Sequence, residues 1–243
     1  MKAKGISISR RAAVAAATVA ITAVLAPASA LAVTSNDQTQ FSVTGGSLSF
    51  ASAPALPTLT AITLNGQAQT TNTTMTNFTV LDATGSGAGW NVTVNGNAAG
   101  GKSTVFKQYC PNATCGSDTG PGYVSGGQTL AANSLTLSST GASFTGQNGT
   151  TGTAPTLQCA SACNVDSASA VKIASAAAST GMGTWATTGW SGSSLALSTP
   201  STLKTLQSNE VYRVDLVWTI NSGPVGTRVG GATLGFAPTT NEE

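Results

Sequence analysis

The residues able to do chemistry are few, and their spacing brings little of it together. With 0 histidines in the chain, Ser–His and Cys–His nucleophile pairs, the HExxH zinc site and an imidazole proton shuttle are all absent. Asp82, Asp118, Asp166, Glu210 and Asp215 stand singly, whereas a glycosidase needs two carboxyl groups about 5–10 Å apart. Asp82 sits at a strand end before a glycine turn, where Asp accepts backbone N–H bonds. Arg213 and Asp215, two apart on one strand face, read as a surface pair worth about 0–1 kcal/mol. The expectation is a protein that is not an enzyme and uses no cofactor.

The cysteines form two close pairs, Cys110 with Cys115 and Cys159 with Cys163. In an exported chain four cysteines imply two disulfides, and three connectivities are open. The local pairs are the first choice, because each closes a small loop at low entropic cost. A four-thiolate zinc site lacks its CxxC spacing, so no metal is expected. Trp185 and Trp190 lie among Gly, Ala, Ser and Thr. Small neighbours bury two indoles poorly, which makes both rings candidates for stacking on a glycan. The other reading is simple packing beneath the middle of the chain.

Charge narrows the choice of partner. Charged residues make up 7% of the chain, against about 25% in an ordinary domain. Clustered cations for phosphate binding are missing, which excludes nucleic acid. Lys2, Lys4, Arg10 and Arg11 precede an apolar run from Ala12 to Ala26, and Ala28-Ser29-Ala30 or Ala30-Leu31-Ala32 follows as a small-residue cleavage pattern. Residues 1–32 therefore read as a cleaved signal peptide, with Ala30 the second choice of site and general secretion preferred over twin-arginine export. The run is too short to span a bilayer, and no later segment is long enough, so no membrane span is expected. What remains, residues 33–243, carries six cations and eight carboxylates, a net −2. Attachment by shape, stacking and hydrogen bonds, insensitive to salt, is the expectation.

Short Val/Thr/Ile/Leu runs between Gly, Asn and Ser clusters read as strands of one all-β domain, an antiparallel β-sandwich. Strands are expected at 41–43, 47–50, 60–64, 78–81, 90–94, 194–197, 211–220 and 231–236. Residues 98–192 read as an irregular, loop-rich insertion that bears the disulfides. Within it the alanine-rich stretch from Ala168 to Ala178 is ambiguous between helix and strand. Gly85-Ser86-Gly87-Ala88-Gly89 precedes a strand, not the helix that a dinucleotide cradle needs.

Two tryptophan-centred segments carry a resemblance. Val80-Leu81-Asp82 with Gly85 leads into Trp90-Asn91-Val92. Later come Tyr212, Leu216, Trp218 and Ile220 at fixed spacing, then Pro224. Together these resemble the two motifs of the WxL domain, a surface module of Gram-positive bacteria, with Val92 and Ile220 at the positions of the two motif leucines. The resemblance implies a secreted β-sandwich at the cell surface that attaches non-covalently to the cell wall, with peptidoglycan or an associated glycan as ligand. The alternative is a structural or adhesive component that assembles with other surface proteins through strand edges or the middle region. Trp90 and Trp218 lie on apolar strand faces and are expected in one core on neighbouring strands.

Overall fold

The computed structural model describes residues 38–190, 192–197 and 210–223. The expected signal peptide, Pro224 and the strand expected at 231–236 lie outside the described residues. The chain divides into an N-terminal unit, Met1–Ser42, and a body, Val43–Glu243. Phe41 in the first is 91% exposed, and Val43 in the second is 83% exposed. Neither belongs to a strand, so the expected first strand does not form. Its residues take part in no ladder among the described residues.

The described residues form seventeen strands: β1 (Leu48–Ser52), β2 (Gln69–Thr73), β3 (Thr79–Asp82), β4 (Trp90–Gly96), β5 (Lys107–Cys110), β6 (Thr114–Cys115), β7 (Asp118–Thr119), β8 (Gly122–Tyr123), β9 (Leu135–Ser138), β10 (Ser143–Gln147), β11 (Thr156–Leu157), β12 (Cys163–Asn164), β13 (Val171–Ala176), β14 (Gly183–Thr188), β15 (Gly192–Leu197), β16 (Val211–Arg213) and β17 (Leu216–Ser222). Their pairings are antiparallel. Three sheets have four strands each, in the orders β1-β3-β14-β10, β11-β13-β4-β17 and β12-β9-β15-β2. A smaller sheet runs β16-β5-β8, and β6 pairs with β7.

The first two sheets meet through aromatic rings. Phe144 of β10 packs edge-on against Trp90 of β4, with ring centroids 5.9 Å apart. Phe78, just before β3, stands edge-on to Phe50 and Phe144 at 6.2 and 5.8 Å. Val80, Val92, Val94, Ile173 and, from the third sheet, Leu135 and Leu137 complete one buried cluster. Period-two alternation explains which residues enter it: Trp90, Val92 and Val94 share one face of β4.

The middle of the chain is not an irregular insertion. β13 pairs with β4 and β14 with β3, so residues 98–192 supply inner strands of both facing sheets. The alanine-rich stretch resolves as β13. Its Ile173, Ala174 and Ala176 are buried, and small side chains there let the layers approach. The expected strand at 60–64 is also absent. Side chains of β2 bond two of its carbonyls instead: Thr71 Oγ1 donates to the Thr60 carbonyl, and Gln69 Nε2 donates to the Thr63 carbonyl at 2.9 Å. The expected long strand at 211–220 breaks at Val214–Asp215, where the chain leaves the small sheet and joins the β4 sheet as β17.

Both disulfides are local. Cys110–Cys115 and Cys159–Cys163 have Cα separations of 5.6 and 5.2 Å. The second closes the turn by which the chain passes from β11 to β12, two strands in different sheets. Loops this small constrain the unfolded chain by about 2 kcal/mol each in the chain-entropy account.

Candidate functional site

The two tryptophan segments are hydrogen-bonded neighbours. β17 lies beside β4 in the register Trp218↔Val94, Ile220↔Val92 and Ser222↔Trp90. Trp90 and Val92 are fully buried, and Tyr212, Leu216, Trp218 and Ile220 are half-buried against the same core. The Trp90 Nε1–H donates to the Gly181 carbonyl at 2.9 Å. Gly89, just before Trp90, has φ +74°, and a Cβ there would lie 2.5 Å from the Ala176 carbonyl oxygen. A side chain at that position would therefore push apart the turn that seats the indole. Asp82 is buried, and its Oδ1 accepts the Thr84 N–H at 3.1 Å and the Thr84 hydroxyl at 2.7 Å. It closes the turn after β3.

Trp185 and Trp190 are not placed to stack on a glycan. They are 4% and 6% exposed. Trp185 Nε1 donates to the Met182 carbonyl at 3.0 Å, and Trp190 Nε1 to Thr187 Oγ1 at 3.1 Å. Around Trp185 the small Thr184, Ala186 and Thr188 alternate to the other side of β14 while the indole joins the core, and Trp190, just past the strand, packs against Phe78 at 6.0 Å. Local composition reports the solvent side of a strand as readily as the side that is covered.

Two surfaces stand out as candidates for contact. On the first sheet, Thr79, Thr184, Ala186 and Gln147 sit at strand positions that alternate away from the core. With Ser52, Asn77 and neighbouring residues they line a shallow groove of about 460 Å³. Its lining residues are uncharged, and most end in a hydroxyl or an amide. Such groups donate and accept alike, which suits the hydroxyl-rich face of a neutral sugar.

The second surface was missed by sequence reasoning. The Arg213–Asp215 pair forms at 2.8 Å, but it belongs to a larger cluster. The Tyr123 hydroxyl donates to Asp215 Oδ2, and Arg213 stacks over the Tyr109 ring at 4.9 Å. Tyr109 and Tyr123 meet edge-on at 5.3 Å. Arg213 also stands directly across from Lys107. Burial pushes the pKa of Tyr123 well above the usual phenol range, helped by its bond to Asp215. Burial also acts to raise that of Asp215, but the Tyr123 and Arg213 hydrogen bonds outweigh it and hold the carboxyl below 3.8. The cations are thus not dispersed, as the low overall charge led us to expect. Lys107-Gln108-Tyr109 and Val211-Tyr212-Arg213 each carry a cation and an apolar or aromatic residue two apart, a signal that becomes informative once the strands are known to pair.

Asp166 is likewise occupied by local partners. Asp166 is fully buried and accepts the N–H groups of Ser134 and Leu135 at 3.0 and 2.9 Å. Among the described residues, no group of three or more Cys, Asp or Glu could hold a metal ion.

A family model for the WxL domain, described as surface cell wall-binding, matches residues 35–224. The chain belongs to the WxL domain family. Nothing among curated proteins or solved structures matches it. No helix of the described residues is long and apolar enough to cross a membrane. In this WxL chain the described motif residues face the core or, for Asp82, close a turn. Their side chains serve the packing of a cell-wall-binding surface domain.

Proposed function

We propose that this WxL protein is secreted and attaches non-covalently to the Gram-positive cell wall by holding the glycan of peptidoglycan, as a binding module without catalytic activity. The family match over residues 35–224 supports wall binding. The observation that carries the choice of ligand is the uncharged hydroxyl and amide groove on the outer face of β1-β3-β14-β10. A sugar strand offers alternating hydroxyls and apolar C–H faces, which such a surface can match without charge. The leader-like segment at residues 1–32 supports export.

Residues 33–243, purified after export, are expected to co-sediment with protein-free peptidoglycan. Gln147→Ala with Asn77→Ala removes two exposed amides from the groove, and should weaken retention about fivefold or more at an unchanged melting temperature. Full retention by this variant would move the glycan site elsewhere. Failure of the wild type to sediment would count against peptidoglycan as the ligand.

A further inference from the structure

The outer face of the small sheet β16-β5-β8 is built unlike the rest of the described surface. Residues directly opposite in an antiparallel pair, and residues two apart in one strand, share a face. By the registers Arg213↔Lys107, Val211↔Tyr109 and Tyr109↔Tyr123, one face therefore presents Lys107, Tyr109, Tyr123, Val211 and Arg213. Gln108 and Tyr212 fall on the opposite face, one buried and the other packed on the core. Glu210, just before β16, forms no ion pair with a described cation. Val211 is 46% exposed and the Arg213 side chain 48%. Lys102, exposed, acts electrostatically on Asp215 from beside Ser103, whose carbonyl accepts the Asp215 N–H at 3.2 Å. Lys102 and Arg213 thus act on one carboxylate, and Lys107 stands across from Arg213, so three of the four described cations fall in this part of the fold.

We propose that this face binds a phosphodiester-bearing wall polymer, a chain of polyol or sugar units linked through phosphates. Three physical points favour that occupant. Like charges directly across an antiparallel pair are unfavourable. Asp215 offsets Arg213, but among the described residues no carboxylate pairs with Lys107, so an external anion there relieves a repulsion the fold retains. The guanidinium is already oriented by Asp215 on one edge and by the Tyr109 ring beneath it. Its remaining donors are therefore held in place for an oxyanion, at little further ordering cost. Finally, Val211 and the tyrosine rings give an apolar border to the cations, which fits a polymer whose anions alternate with carbon-rich units. The glycan groove is uncharged, so the two surfaces would recognise different chemistry on the same wall.

The inference rests on the wall-binding reading, and the test separates the two. The probe is a poly(glycerol phosphate) oligomer, titrated against purified residues 33–243, with dextran as the neutral control. Binding of the oligomer and not of dextran, weakening as salt rises, is expected. Lys107→Ala, which leaves the Arg213–Asp215–Tyr123 contacts in place, should lower affinity about fivefold, Arg213→Ala more, and Arg213→Lys should recover part of the loss. Sedimentation is then compared on intact walls and on walls stripped of phosphodiester polymer by hydrofluoric acid. At low salt, intact walls should retain more wild-type protein, and Lys107→Ala should erase the difference. No oligomer binding, equal affinity in Lys107→Ala, or equal wild-type retention on both walls would overturn the inference. If stripped walls show the same loss with Lys107→Ala as intact ones, carboxylates of peptidoglycan occupy the face and the phosphodiester assignment is wrong. Wild type that sediments with neither wall would instead overturn the wall-binding reading itself.

Discussion

Asp215 is held from two sides, and its partners set the pH range over which the cluster stabilises the fold. Its native carboxyl is more acidic than the unfolded reference of 3.8, so its contribution is present above that pH and is lost as pH falls below it. Tyr123 has the opposite sign of shift, raised above 10.0 by burial and then by the bond to Asp215. Its contribution is present below that value and is lost as pH rises past it, because the unfolded phenol ionises first. Wild type should therefore show a plateau of melting temperature that falls off at both ends. Asp215→Asn removes the carboxylate itself and, with it, the part of the Tyr123 shift that Asp215 adds to burial. It is expected to lie below wild type across the plateau and to converge on it at strongly acid pH. Its Tyr123 should also ionise earlier in an alkaline absorbance titration. An unchanged tyrosine titration would mean that the Tyr123–Asp215 bond does not persist in solution.

At the scale of elements, β4, which starts at Trp90, depends on a backbone approach just before it that only glycine allows. Gly89→Ala must place a Cβ against the Ala176 and Ala177 carbonyls at 2.5 and 2.7 Å, in a left-handed conformation. A non-glycine residue there costs about 1–3 kcal/mol from the backbone alone, and the displaced turn adds to it. Urea denaturation should show a loss of at least that size, whereas Gly66→Ala, also left-handed but with open space around it, should lose only the conformational part. Much of this arrangement is legible in the sequence. Alternation placed Trp90, Val92, Trp218 and Ile220 on inward faces, and the close cysteine spacing favoured the local disulfides. The middle region was not legible, because strands such as β13 and β14 carry only one or two large apolar residues each among Ala, Ser, Thr and Gly. Their burial comes from two flanking neighbours in the sheet, not from a run of large apolar residues. The same cause hid the orientation of Trp185 and Trp190. The cationic face was hidden for a different reason, since it joins β5 to β16 across a long stretch of sequence and exists only in the register of that pair.

Across the whole molecule, the indoles lie inside and the two candidate contact surfaces carry none. Trp90, Trp185 and Trp190 are buried, and Trp218 is half-buried against the core. This separates the way the protein would grip a polymer from the familiar mode in which exposed aromatic rings lie flat on sugars. The separation has an optical consequence. Emission from three shielded indoles should be blue-shifted and resist acrylamide, while Trp218 supplies most of the quenchable fraction. Trp218→Phe should therefore remove most of the quenching at modest cost in stability, since a ring is retained against the core. Addition of solubilised peptidoglycan should leave both the emission maximum and the quenching constant nearly unchanged, because a ligand in the hydroxyl groove or over the tyrosines touches no indole. A marked blue shift or strong protection on ligand addition would place a tryptophan in the contact after all, and would return Trp218, the most accessible of the four, to the centre of the binding site.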